Sequence, residues 1–204
     1  GAQEDGTLIW RARGAEPAAA APSRPWLTYA ALALLALVYL GEATIQAGVS
    51  GGFLDPSIQT LVAWGGMSHA LVVERGEWFR LLTAAFLHGG LAHLAMNGVA
   101  LFIAGVALEP FIGRLWLAAL FLVGALGGGL ASIAFNPPNI VGVGASGAIM
   151  GLFGFFLTIA FRFPRGPVRR AFIANSLGTL IPSTLPALLP AITGGSGFSI
   201  DYAA

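Results

Sequence analysis

Long apolar runs almost free of charge dominate this chain and leave it few ways to fold. A helix needs roughly 20 predominantly apolar residues to cross a bilayer core about 30 Å thick. Runs of that kind predict spans over about 26–48, 91–108, 115–135 and 146–163. A fifth is expected over about 171–189, with Pro182, Pro186 and Pro190 interrupting its end and freeing backbone groups that only protein can satisfy. With 56% hydrophobic and 9% charged residues, no ordinary soluble core could hide this much apolar surface. The expected fold is an all-α polytopic membrane protein, with residues 1–25 a flexible, Ala/Pro-rich flank and 26–204 the membrane domain.

Charge sets the orientation. All ten basic residues are arginine, against nine acids, so no basic field exists for nucleic acid. Arg11, Arg13 and Arg24 precede the first span, Arg114 follows the second, and Arg162, Arg165, Arg169 and Arg170 follow the fourth. Cytoplasmic loops carry such excess, which puts the N-terminus inside. The connection 49–83 sets Asp55, Glu74 and Glu77, with Glu42 nearby, against Arg75 and Arg80, and faces outward. It is too long for a plain turn, and its Leu, Val and Trp residues suit a segment lying on the membrane. The Lys-free, Ala/Gly/Arg-rich composition points to a bacterial cytoplasmic membrane. Absence of cysteine removes disulfides, thiol nucleophiles and thiolate metal sites.

Polar side chains are costly in a bilayer, and few occur in or beside these spans: His88, His93, Asn97, Glu109 and Ser146. His93 and Asn97 are four residues apart, so a helix puts both on one face, able to aim two donors at one spot. His88, five before His93, is expected to face elsewhere. Ser146 lies in Gly144-Ala145-Ser146-Gly147, after Asn136-Pro137-Pro138-Asn139 has broken the third span, at the start of the fourth apolar run. Free N–H groups and the positive dipole end there would favour an oxyanion. The bland alternatives are an N-cap serine, a glycine face for helix packing (Gly144, Gly147, Gly151, Gly154), and interhelical hydrogen bonding by His93 and Asn97.

Taken together, Gly76-Glu77-Trp78-Phe79-Arg80, His88-Gly89-Gly90-Leu91-Ala92-His93-Leu94-Ala95-Met96-Asn97, Glu109 and Gly144-Ala145-Ser146-Gly147 resemble the rhomboid family in order and spacing. The resemblance implies a bundle of six helices, five of them present here, with a short fourth helix carrying the serine at the floor of a cavity open to outside water. It implies an intramembrane serine endopeptidase acting on single-span membrane proteins, with Ser146 the nucleophile, His93 and Asn97 the oxyanion donors, and Gly144 and Gly147 supporting the motif. Arg80 and Glu109 are read as structural, in an ion pair or a helix-end hydrogen bond.

A serine needs a base to take its proton, and rhomboids use a histidine on the sixth helix in an Ala-His-x-x-Gly setting. This sequence ends Ile200-Asp201-Tyr202-Ala203-Ala204, so the expectation is a chain stopping one residue before that histidine. His69, in the outer loop, is no substitute. No metal or organic cofactor is expected. The alternative is a catalytically inactive rhomboid-like scaffold binding membrane clients. A transporter or channel would need ionisable residues lining a path, and only Glu109 lies near a span end.

Overall fold

The computed structural model describes residues 24–46 and 52–193, with side chains followed to residue 182. Among the described residues there are seven α-helices: α1 (Trp26–Thr44), α2 (Ile58–Trp64), α3 (Arg80–Thr83), α4 (Leu91–Ile112), α5 (Arg114–Phe135), α6 (Ser146–Ala160) and α7 (Pro167–Thr193). A π-helical turn at Ala70–Glu74 and a 3₁₀ turn at Ala84–Phe86 complete the outer connection. Among the described residues there is no strand, only an isolated bridge between Met67 and Gly142. The protein is an all-α, polytopic membrane bundle.

By length and composition α1, α4 and α5 can each cross a membrane, while α6 is apolar but only 15 residues long. At 1.5 Å per residue α6 reaches roughly 22 Å, short of a bilayer core about 30 Å thick. The expected spans shift at their ends. α1 stops at Thr44, four residues before the expected limit; α4 continues through Pro110 to Ile112; and α6 ends at Ala160. α7 runs on through Pro182, Pro186 and Pro190, where an interruption was expected. The outer connection is a series of short helical segments, with Trp78 and Phe79 more than half exposed as a membrane-facing element requires.

α6 sits in the centre, burying Ala148, Ile149, Leu152, Phe153, Phe156 and Ala160. Its Phe156 meets Phe172 of α7 edge-on at 4.7 Å. Toward α5 the helices meet backbone to backbone: a Cβ on Gly147 would lie 2.9 Å from Gly128 Cα, and one on Gly151 3.0 Å from Gly124 Cα. Association in lipid lacks a hydrophobic drive, and such close approach supplies van der Waals attraction in its place. Gly147 and Gly151 therefore belong to the expected packing face, whereas Gly154 has open space beside it. Leu37, Leu115, Trp116 and Val123 point outward, as a lipid-facing surface demands.

α1 packs on α4 through a buried stripe of Thr28, Leu35, Tyr39, Glu42 and Ala43, residues that recur on one helical face. Glu109 joins the two: its carboxylate accepts from Leu27 N–H (2.8 Å), Thr28 N–H (2.7 Å) and Thr28 Oγ1–H (2.7 Å). These are orphan donors of the first turn of α1, so Glu109 serves as a cap supplied from another helix, the helix-end role expected of it.

Candidate active site

Beyond α5 the chain returns through a short loop that the outer connection grips from two directions. Met67 N–H donates to Gly142 O (3.1 Å), Gly142 N–H to Met67 O (2.7 Å), and Gly144 N–H to Ala84 O (2.8 Å). The outer connection is itself braced by Arg80, which pairs with Glu77 and donates through Nη1 to Val62 O and Gly66 O, both at 2.8 Å. Arg80 thus has the structural role expected of it.

Gly144 has φ +116°, a left-handed conformation that other residues adopt only with strain. The turn delivers Ala145 as the N-cap of α6 and Ser146 as its first residue. Ala145, not Ser146, holds the N-cap position, and Ser146 is exposed, which goes against the N-cap alternative. The first intrahelical bond runs from Ile149 N–H to Ala145 O (2.9 Å), so the N–H groups of residues 146–148 have no partner within the helix. Ser146 and Gly147 line a cavity of about 1110 Å³ together with Gly89, His93, Ser132 and Gly144.

α4 contributes His93, which lines the same cavity, and the buried Asn97 one turn further on. A Cβ on Gly144 would lie 2.7 Å from His93 Cε1, 2.8 Å from His93 Nε2 and 3.4 Å from Asn97 Nδ2. Both donors therefore reach the turn that carries the serine, and the absent side chain of Gly144 is what leaves them room. Donors converging beside an exposed hydroxyl at a helix N-terminus form an arrangement suited to stabilising an oxyanion.

One expectation fails here. His88 does not face elsewhere: its ring lies edge-on to His93 at 5.2 Å, and Asn97 Nδ2–H donates to His88 Nε2 at 3.0 Å. The helical wheel could not place it, because Gly89 and Gly90 end the helix pattern and α4 begins only at Leu91. The glycine pair was the available signal. As acceptor at Nε2, His88 is a neutral imidazole with its proton on Nδ1. Burial, with the neighbouring His93 adding to it, lowers its pKa to about 4. Glu42, counted with the charges of the outer side, also proves to be part of this shell. It is buried in α1, and its Oε2 accepts from the His88 backbone N–H at 3.1 Å.

Among the described residues no group of three His, Cys, Asp or Glu side chains could hold a metal. His69 lies apart, on the outer connection, 3.8 Å from Glu74.

Residues 75–204 match the family model for the rhomboid domain. The chain is 33% identical to rhomboid protease GluP of Bacillus subtilis over 93% of this chain and 33% of that protein. It is 38% identical to RHOMBOID-like protein 4 of Arabidopsis thaliana over 60% of this chain and 31% of that one. Inactive RHOMBOID-like protein 8 of Arabidopsis thaliana is 33% identical over 58% of this chain and 34% of its own length. The chain thus spans about a third of the length of these relatives. An exposed serine opening a short central helix, two donors of α4 facing its turn and the family match lead to one conclusion: the chain belongs to the rhomboid family, which comprises intramembrane serine proteases and at least one relative named inactive.

Proposed function

We propose that this chain is the catalytic portion of an intramembrane serine endopeptidase that cuts single-span membrane proteins near the outer end of their helix. Ser146 Oγ attacks the scissile carbonyl while a histidine lying beyond Ala204 takes its proton. The oxygen gains the displaced electron pair, and His93 Nε2–H with the second N–H of Asn97 Nδ2 holds it. Collapse breaks the C–N bond, the imidazolium returns its proton to the leaving amine, and water then hydrolyses the acyl-enzyme. Gly144 and Gly147 give the turn its shape and seat α6 against α5. A helical amide is shielded by its own hydrogen bonds, so the substrate must unwind locally and helix-breaking residues near the cut are expected. The N-terminus lies in the cytoplasm of a bacterial cell, the serine is reached by water from outside, and no cofactor takes part.

The supporting observation is Ser146, exposed at the first position of α6 and lining one cavity with His93. Full-length protein in liposomes should cleave a model single-span substrate, and Ser146→Ala should abolish the cut. The similarity to a relative named inactive favours a second reading, a scaffold that binds membrane clients without cleaving them. Client binding that survives Ser146→Ala, with no cleavage by wild type, would establish that reading and overturn the first.

A further inference from the structure

We propose that Glu42 is a positioning residue for the oxyanion site, acting through His88 on the Asn97 amide; the inference rests on the protease reading above. The contacts form an unbroken chain. Glu42 Oε2 accepts from the His88 backbone N–H at 3.1 Å, and His88 Nε2 accepts from Asn97 Nδ2–H at 3.0 Å. An asparagine amide nitrogen carries two coplanar protons. Committing one to His88 fixes the plane of the amide, and with it the direction of the second, on the side where Gly144 passes. The aim of Asn97 therefore depends on where His88 stands.

His88 needs such an anchor. It occupies a stretch between the 3₁₀ turn and α4, followed by two glycines, with no helical bonds of its own. α1 holds that stretch directly at Glu42 and, one turn earlier, steadies its far end indirectly from Tyr39. Besides the Glu42 contact, Tyr39 Oη–H donates to Phe53 O and Leu54 O, both at 2.8 Å, and Leu54 O in turn accepts from Leu91 N–H at 2.9 Å. Glu42 is an expensive way to fill space: it is 0% exposed, no arginine pairs with it among the described residues, and its Oε1 has no hydrogen-bond partner there. A leucine would pack the same volume without a desolvated carboxyl, so the polar group is accounted for by what it holds.

The test compares kcat and KM of full-length protein in liposomes, on a single-span substrate, for wild type, Glu42→Leu, Glu42→Gln, Asn97→Ala and the Glu42→Leu/Asn97→Ala double variant. Glu42→Leu is expected to lower kcat about 10- to 100-fold with KM within about twofold, the loss that misaimed catalytic groups produce. Glu42→Gln keeps a carbonyl acceptor for His88 N–H and should stay within about threefold of wild type. Once Asn97 is gone, Glu42→Leu should cost less than about twofold more, because the two residues act along one path. Equal losses from Glu42→Leu on both backgrounds, or a Glu42→Gln variant as impaired as Glu42→Leu, would overturn the proposal. So would an undiminished Glu42→Leu alongside a dead Ser146→Ala, and that result leaves the protease reading standing. A wild type without Ser146-dependent cleavage overturns both. Nitrogen-15 shifts of His88 in the wild type need no folded variant: an unprotonated Nε2 is expected, and a protonated one refutes the chain of contacts.

Discussion

Replacing Gly144 with alanine should disable catalysis while leaving the bundle assembled. Two costs meet at this position. With φ at +116°, any side chain is strained, by about 1–3 kcal/mol in general. The new Cβ would also stand 2.7 Å from His93 Cε1 and 2.8 Å from Nε2, against the 3.4 Å at which ordinary contact begins. The turn cannot simply swing away, because Gly144 N–H is tied to Ala84 O at 2.8 Å and Gly142 is paired with Met67. The imidazole must therefore retreat by about 0.7 Å, the difference between 3.4 and 2.7 Å. Oxyanion donors work over a narrow range of distances, and losing one costs about 10²- to 10³-fold in kcat, or about 2.7–4 kcal/mol. The expected result is a kcat lowered about 100-fold or more, measured on a single-span substrate in liposomes with thermal unfolding run in parallel. A Gly144→Ala protein with kcat within about threefold of wild type would refute the placement of His93 at the oxyanion.

Other perturbations follow from the same contacts. Glu109→Ala strands three donors at the start of α1 and should lower unfolding stability in detergent by about 2–4 kcal/mol, whereas a change below about 0.5 kcal/mol would deny the capping role. Gly128→Ala would bring a Cβ to 2.6 Å from Gly147 Cα, backbone that cannot yield, so α5 and α6 must separate at about 1–3 kcal/mol, again read by unfolding. His88 should make stability depend on pH. Its folded pKa of about 4 lies below its ordinary 6.5, so the unfolded chain binds more protons between those values. Its contribution is full above pH 6.5 and is lost as the pH falls through 4; melting temperatures measured across that window should drop more for wild type than for His88→Gln.

The spans were legible because lipid tolerates so little charge that Arg24, Arg114 and Arg162 stand at their ends. The setting of Ser146 was legible too, since Pro137-Pro138 must break a helix and a Gly-x-Ser-Gly stretch must restart one. Helix ends were less so: α1 stops at Thr44 and α6 at Ala160, short of the limits read from hydropathy. The site's supporting shell was misjudged as well. A wheel drawn back from His93 assigned His88 to another face, yet the chain leaves helical geometry at Gly89-Gly90 and folds the ring back onto its neighbour. Charge placed Glu42 toward the outer side but could not show it buried, because periodicity says which residues share a face, not how deep along the helix that face stays buried. Only the fold shows that the α1 stripe containing Glu42 abuts the loop bearing His88.

The central claim is that Ser146 is a water-accessible nucleophile, and chemical trapping tests it most directly. Full-length protein in lipid should be treated with a fluorophosphonate and the modified residue located by mass spectrometry. A single phosphonyl adduct on Ser146, absent when the protein is denatured before labelling, is the result the account predicts. An adduct on another residue, or none on Ser146, would contradict it.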